Sequence, residues 1–503
     1  MTKYFLGVDN GGTMTKAVLF DAEGKEVGGA SRKLALIQPQ PGFTERDMEL
    51  LWKANLEVIR EALSTSGVEP GQIAGIACTG HGKGLYLWGK DGHPAYHGIV
   101  STDSRAWKYP QAWEADGTAA KVFPRTLQTP LACQPVALWR WFQDNRPEIL
   151  SQVQWVFSVK DYVRFRLTGE AYAEITDYSG TSLMDLNSVS FDPKVLEAFG
   201  VADMADKLPP LRYSTEICGK ITAEVAALTG LKAGTPVAAG MFDIDACAVA
   251  MDVTDETNVC VIAGTWGINQ YISRKPVLNH SIKMNSLFCL KGYYLVEESS
   301  PTSAGNNEWF TDLFLESEKQ EALARGLSIH AYAEELAASV EPGSQSLLFL
   351  PFLYGSNDNP QAKACFIGLE SSHTRAGIIR SVLEGIVYSH RVHLERLLPN
   401  RDRPGCLRLA GGAANNRTWA QMFSDVIGLP VETIDAKELG TLGCAMTAAV
   451  ASGFYTDLKQ AAQKMVRVKE RLEPNTLHKP AYDKKYALFV QASRALDGLW
   501  KEF

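Results

Sequence analysis

Gly7-Val8-Asp9-Asn10-Gly11-Gly12-Thr13-Met14-Thr15-Lys16 is the stretch on which the fold turns. An apolar run, Tyr4 to Val8, enters it and a second, Ala17 to Phe20, leaves it, which predicts two strands joined by a hairpin turn. Glycines let backbone N–H groups approach an anion closely; Thr13 and Thr15 can donate to its oxygens, Lys16 can neutralise its charge, and Asp9 can hold a metal ion through water. A P-loop leads from a strand into a helix, and the G-x-G-x-x-G spacing is absent, so neither of those nucleotide motifs is supported. Taken alone, a Gly-Gly hairpin with an incidental aspartate would read the same way. The second half of the chain adds weight: Cys260-Val261-Ile262-Ala263-Gly264-Thr265-Trp266-Gly267 again runs an apolar strand into Gly-Thr-x-Gly. Two such turns suggest a duplicated α/β domain clamping one nucleotide.

With 503 residues the chain calls for more than one hydrophobic core, and 46% hydrophobic with 21% charged residues describes an ordinary globular enzyme. The net charge of −7 argues against a nucleic-acid or anionic-membrane partner, so a phosphate site must be built locally. Nine cysteines without a C-x-x-C pair read as buried thiols in a reducing compartment. No apolar stretch approaches the length of a membrane span, and no secretory signal precedes Asp9, so a cytoplasmic location is expected.

Along the chain, residues 3–20 and 26–36 read as strands, Met48 to Ser64 as an amphipathic helix, and Ile73 to Thr79 and Leu85 to Trp88 as strands. Glu148 to Gly169 reads as helical packing, Val237 to Gly240 as a short strand and Asp243 to Ala250 as a helix. The polar segment Asp252 to Thr257 separates two apolar ones and sets the expected domains at 1–253 and 254–503. A second strand-helix unit follows, then a long helix from Thr374 to Leu398. Strand Leu407 to Ala410 next runs into Gly411-Gly412-Ala413-Ala414-Asn415-Asn416. A glycine pair at a strand-to-helix turn suits backbone packing against a flat ring or ribose.

This ordered set resembles the FGGY carbohydrate kinases over essentially the whole chain, most closely the branch acting on L-xylulose and other pentuloses. One family pattern is met by Ala364-Cys365-Phe366-Ile367-Gly368-Leu369, continuing to Ser381-Val382-Leu383-Glu384, with a departure at Gly377. The other falls on Cys133 to Asn145, where Leu138 stands in place of the usual lysine. The resemblance implies two actin-like ATPase (ribonuclease H-like) α/β domains with an interdomain cleft, and transfer of the ATP γ-phosphoryl group to a sugar hydroxyl.

It also implies roles. Asp243 matches the catalytic base, and a fixed carboxylate that accepts the proton of an attacking alcohol is sound chemistry. A helix N-terminus would keep it ionised, although the same carboxylate could merely cap the helix. Asp9, with Asp243, would place Mg²⁺. Gly12, Thr13, Thr15, Lys16, Gly264 and Thr265 would surround the phosphates, and Gly411, Gly412 and Asn416 would face the adenosine. Lys16 could equally be a solvated strand charge, and Asn415 or Asn416 an ordinary N-cap. On the sugar side stand His81, Lys83, Asp103 and Asp243; Asp103 could be a surface-turn residue, and Glu45 and Asp47 caps of the helix that follows. The Arg-Glu pair of glycerol kinases is absent from Thr79 to Gly84, which disfavours glycerol. Gly82-Lys83 is not a Walker motif, because Ala77 and Gly84 stand where glycine and a hydroxyl residue are required. His390 and His393 read as structural. The expected partners are a small sugar and ATP, and a homodimer is compatible with the reading. Two alternatives stay open: an erythritol or other polyol kinase of the same scaffold, and a non-kinase actin-like ATPase.

Overall fold

The computed structural model describes residues 2–279, 281–282 and 284–503. The opening hairpin is formed by β1 (Tyr4–Asn10) and β2 (Met14–Asp21), which pair antiparallel with Asp9 opposite Lys16 and Asn10 opposite Thr15. β3 (Glu26–Lys33) extends it. Helix α1 (Met48–Ser66) starts at Asp47, whose carboxylate accepts the N–H groups of Glu49 and Leu50 at 2.8 and 3.0 Å, and ends at the left-handed Gly67. Its apolar face, Leu51, Val58 and Ile59 among others, is buried. β4 (Ile73–Gly80) then lies parallel to β1.

Residues 148–169 differ from the helical reading. A short helix at Pro147–Leu150 is followed by the strand Val153–Phe157, paired with Tyr86–Gly89, and only then by helix α2 (Val159–Thr168). The β-branched and aromatic Val153, Trp155, Val156 and Phe157 favour the strand once a partner edge exists. Helix α3 (Ile175–Tyr178), strands β5 (Ile217–Lys220) and β6 (Pro236–Ala238) and helix α4 (Asp243–Ala250) complete the first half.

The second half does not open with the expected strand-helix unit but with an antiparallel meander: β7 (Val259–Ala263), β8 (Gly267–Ser273), β9 (Met284–Leu287) and β10 (Tyr294–Ser300). Helices α5 (Gly305–Phe314), α6 (Ile329–Ala338) and the long α7 (Arg375–Leu397) follow. They lead to β11 (Leu407–Gly411), α8 (Arg417–Ile427), β12 (Val431–Ile434), α9 (Leu439–Ala451) and β13 (Val468–Leu472).

The two sheets run β3-β2-β1-β4-β6-β5 and β9-β10-β8-β7-β11-β12-β13. With the edge strand β9 set aside, they match strand for strand in order and direction: a central antiparallel hairpin, two parallel neighbours, and an antiparallel edge. Only the chain path differs, since β5 precedes β6 whereas β13 follows β12. The duplication suggested by the two glycine turns is therefore present in the strand order.

Helix α9 of the second half packs against β1, β4 and α4 of the first. The approach requires glycine: a Cβ on Gly443 would stand 2.2 Å from the Ala246 carbonyl oxygen, and one on Gly7 2.0 Å from that of Thr441. Separate apolar clusters fill each lobe, the region between α4 and α9, and the insertion that follows β4. No helix among the described residues is long and apolar enough to cross a membrane.

Candidate functional site

At the first turn, Gly12 is open, with nothing within 4 Å of where a Cβ would stand, and Thr13 is exposed. Thr15 is not available to a ligand. Its hydroxyl is buried and donates to Asn10 Oδ1 at 2.9 Å, an oxygen that also takes the Asn55 amide of α1 at 2.8 Å. Side chains alternate along a strand, so Thr15 shares the inward face of Ala17 and Leu19. A residue missed in the sequence holds the turn from behind: the buried Arg46 guanidinium donates to the carbonyls of Gly11 and Gly12. Lys16, facing the other way, is ion-paired with Glu438 at 2.7 Å, just before α9.

Asp9 ends β1 with Oδ1 buried and without a hydrogen-bond partner. Burial raises its pKa to about 6, Glu438 adding to the shift and Lys16 opposing it. Gly440 leaves it room, since a Cβ there would come within 3.0 Å of Oδ2.

Asp243 is the first residue of α4. The chain reaches it through Gly240, left-handed at φ +82°, where a Cβ would collide with the Cys78 carbonyl oxygen at 1.9 Å. Thr79 and Thr176 brace the turn, one donating its hydroxyl to the Met241 carbonyl at 2.7 Å and the other accepting the Phe242 N–H at 2.8 Å. Asp243 is not the helix cap; Phe242 occupies that position and offers no side-chain hydrogen bond. Nor does the helix terminus hold it ionised, as the sequence suggested. Burial first, then the carboxylates of Asp9 and Asp177, push its pKa well above the ordinary value, while the Ile244 N–H and Lys83 pull only weakly the other way. Asp245, two residues on, is fully buried and accepts the Cys289 N–H at 3.1 Å, so it ties α4 to the second lobe instead of capping its own helix.

Among the sugar-side residues, Lys83 sits at φ +62°, a left-handed conformation that side chains resist, with its ammonium 5.6 Å from the Phe242 ring centre. Burial works against its charge, but Glu297, Cys133, Asp243 and Asp177 together hold its pKa above the usual lysine value. His81 and Asp103 are corrected. The His81 ring is buried between the Tyr86 hydroxyl at 2.9 Å and the Gly82 carbonyl at 3.2 Å, and burial, with Arg46 nearby, lowers its pKa to about 3. Asp103 spends its carboxylate on the Thr44 N–H at 2.7 Å and on the buried Arg105 guanidinium, also at 2.7 Å. Glu45 joins the same network at 2.8 Å from Arg105. Leu138, where the family pattern has lysine, is wholly buried and presents no charge to the cleft.

The second turn, with the β11 to α8 connection, lines a cavity of about 570 Å³. Gly264, Thr265, Gly412 and Asn416 all border it, which brings together residues some 150 positions apart. Gly411 lies behind, left-handed at φ +82° and packed so closely on Ala263 that a Cβ would stand 2.3 Å from its carbonyl oxygen. Asn416 does cap α8, accepting the Trp419 N–H at 2.7 Å, and still forms part of the wall. Glu308, Ser328, His330 and Glu334 of the inserted helical region complete the cavity, together with Ile379 and Leu383 of α7. No local motif marks the first four. Ile379 and Leu383 carried a helical-face signal that reads as core. His390 supports the second turn from beneath, its ring between the Ser303 hydroxyl and Asn269 Oδ1, each at 2.8 Å, while the Ser303 N–H donates to the Thr265 carbonyl at 3.1 Å.

Comparison with known proteins gives concordant results. The N-terminal domain of the FGGY family of carbohydrate kinases matches residues 4–250 and its C-terminal domain residues 259–452. The chain is 37% identical over 500 residues to an L-xylulose/3-keto-L-gulonate kinase of Escherichia coli (strain K12), covering 99% of this chain and 98% of that one. It is 36% identical to a probable L-xylulose kinase of Pasteurella multocida (strain Pm70), covering 99% of both. Among solved structures, the xylulose kinase from Rhodospirillum rubrum aligns with a TM-score of 0.87 at 26% identity, over 99% of this chain and 100% of that one.

Proposed function

The chain belongs to the FGGY family of carbohydrate kinases, ATP-dependent sugar phosphotransferases with an actin-like ATPase fold, and on that premise we propose that it phosphorylates L-xylulose or a closely related ketopentose. The observation that carries the reading is the placement of Asp243, whose charge bears on Asp9 of the phosphate hairpin on one side and on Lys83 on the other. In this reading Asp243 accepts the proton of the attacking sugar hydroxyl. Its buried position favours the protonated form and so makes the carboxylate a strong acceptor. In this reading the open backbone of Gly12 and Thr13, together with Gly264 and Thr265, cradles the polyphosphate, and the large cavity that Gly264 and Thr265 border takes the adenosine.

Asp9 and Asp243 fit Mg²⁺: one has a buried oxygen without a partner, and the first raises the pKa of the second, a repulsion that a cation would relieve. No group of three or more His, Cys, Asp or Glu able to hold a metal exists among the described residues, so water and phosphate would supply the other ligands. When bound, the ion supplies charge neutralisation to the phosphates. Closure of the two parts, 1–253 and 254–503, about the polar segment Asp252 to Thr257 would exclude water from the cleft. A homodimer is retained within the proposal and is tested by sedimentation. Coupled ADP release over L-xylulose, D-xylulose, L-ribulose, erythritol and glycerol tests the substrate; turnover confined to the polyols would overturn the ketopentose reading.

A further inference from the structure

Asp9 and Lys16 are direct partners across the β1 to β2 ladder, so their side chains share one face of the sheet. An acid and a base so placed ordinarily attract each other. Here they do not pair. The Lys16 ammonium donates instead to Glu438 Oε2 at 2.7 Å, and Asp9 takes part in no ion pair among the described residues, its Oδ1 being left without a hydrogen-bond partner. Glu438 stands at the N-cap position of α9, yet its side chain caps nothing. Its carbonyl accepts the Leu442 N–H and the Thr441 hydroxyl, each at 3.0 Å, while its carboxylate turns away to β2. The start of α9 is fixed against β1 by close approach: a Cβ on Gly7 would stand 2.0 Å from the Thr441 carbonyl oxygen, and one on Gly440 3.0 Å from Asp9 Oδ2. Glu438 is thus delivered to Lys16 by a firmly seated helix, unlike the loose ion pairs of an open surface. The Lys16 and Glu438 side chains keep 27% and 32% exposure, and Asp9 is also partly exposed, so a ligand can reach the group.

We propose that Glu438 is a positioning residue of the phosphate site: by holding the Lys16 ammonium it keeps Lys16 off Asp9 and leaves that carboxylate to the divalent cation of the nucleotide. This rests on the reading above that Asp9 meets Mg²⁺, and adds the residue that keeps Asp9 available. With Glu438 gone, the ladder partner Asp9 is the carboxylate that remains to Lys16 on the shared face. An ammonium seated there would neutralise Asp9 and repel a cation. Lys16 and the metal would then compete for one carboxylate, so cation dependence, and not nucleotide affinity as such, is the property that Glu438 governs.

The test uses the full-length protein with Glu438→Gln, Glu438→Ser, Lys16→Met, the double variant Lys16→Met with Glu438→Gln, and Asp9→Asn. Calorimetry measures the affinity for β,γ-imido-ATP, a non-hydrolysable ATP analogue, over a series of MgCl2 concentrations, with a thermal melt beside it. In both Glu438 variants the Mg²⁺ concentration that gives half of the full tightening should rise about fivefold or more, with no comparable loss of affinity in the absence of Mg²⁺. Measured against Lys16→Met alone, removing Glu438 should move that concentration by less than about twofold, because no ammonium is left to occupy Asp9. An unmoved Mg²⁺ requirement, an equal loss with and without Mg²⁺, a defect that persists in the Lys16→Met background, or failure of both Glu438 variants to fold would make the pair a mere link between α9 and β2 and overturn the inference. Asp9→Asn tests the reading beneath it. If that variant keeps the wild-type Mg²⁺ dependence, Asp9 does not meet the cation, and the reading fails together with this inference; if it loses the dependence while the Glu438 variants behave as wild type, the inference alone fails.

Discussion

Asp243 and Asp245 stand two positions apart on one helix, roughly 200° around its axis, and the structure sends them to opposite destinations. Asp243, the first residue of α4, is partly exposed, whereas Asp245 is sealed against the Cys289 N–H of the other lobe. Asp243→Asn is expected to lower kcat by roughly 10²–10⁴ with sugar affinity largely kept, the range for removing a positioned proton acceptor. Asp245→Asn should cost about tenfold at most in rate and should act mainly on stability, through a weakened link between the lobes instead of a lost cap. Steady-state kinetics at saturating sugar and MgATP, with a thermal melt beside them, distinguish the two; the reverse ranking would move the base to Asp245.

Histidine 390 gives a pH prediction at the same scale. Burial lowers its pKa to about 3, below the 6.5 of the unfolded chain, and its two hydrogen bonds suit a neutral ring. Above pH 6.5 neither state takes up the proton. As pH falls below that value the unfolded state binds a proton that the folded state refuses, so stability declines until about pH 3, at about 1.4 kcal/mol per pH unit. Asp177, raised to about 7, works in the opposite sense, because the folded state keeps a proton that the unfolded state has lost. Comparing wild type with His390→Gln isolates the histidine. Urea midpoints measured between pH 7.5 and 5 should fall less steeply in the variant, and parallel slopes would show that His390 is not held neutral.

At the scale of elements, the phosphate hairpin was legible because an apolar strand, a glycine turn and a second strand are all local. Period-two alternation along β2 puts Thr15 on the inward face with Ala17 and Leu19 and Lys16 on the other, a signal that is likewise local. Arg46 could not be found that way; it reaches the Gly11 and Gly12 carbonyls from a segment some 35 residues distant. The helix at 148–169 failed for a related reason, as the strand Val153–Phe157 depends on its pairing with Tyr86–Gly89. The α4 to α9 crossing yields a direct test. Gly443→Ala places a methyl 2.2 Å from the Ala246 carbonyl oxygen, and because that neighbour is backbone the two helices must separate. We expect a loss of about 1–3 kcal/mol in unfolding free energy, read by chemical denaturation. A variant as stable as wild type would mean that the crossing is looser than the glycine contact implies.

For the whole molecule, substrate choice and nucleotide use are the properties to test. Lys83-Gly84 stand in place of the glycerol-kinase Arg-Glu pair, so kcat/KM for a ketopentose should exceed that for glycerol; equality would sink the pentulokinase reading. Asp9→Asn should weaken use of MgATP while sugar binding, measured calorimetrically without nucleotide, stays near wild type. Loss of sugar binding alone would place Asp9 elsewhere in the cleft.

By itself the sequence determined that two glycine turns follow two apolar strands, that an acid opens the helix after the short strand at Val237 to Gly240, and that the chain resembles FGGY kinases from end to end. Those are properties of contiguous residues, set by backbone freedom at glycine and by apolar periodicity. Only the tertiary structure decided which polar groups are left for ligands. His81 and Asp103 read as sugar contacts, but Tyr86 and Arg105 claim them. Arg46 carried no local signal, yet its buried guanidinium is what holds the Gly11 and Gly12 carbonyls from behind. The physical reason is that a polar side chain is free or spent according to what packs against it, and those neighbours arrive from distant parts of the chain.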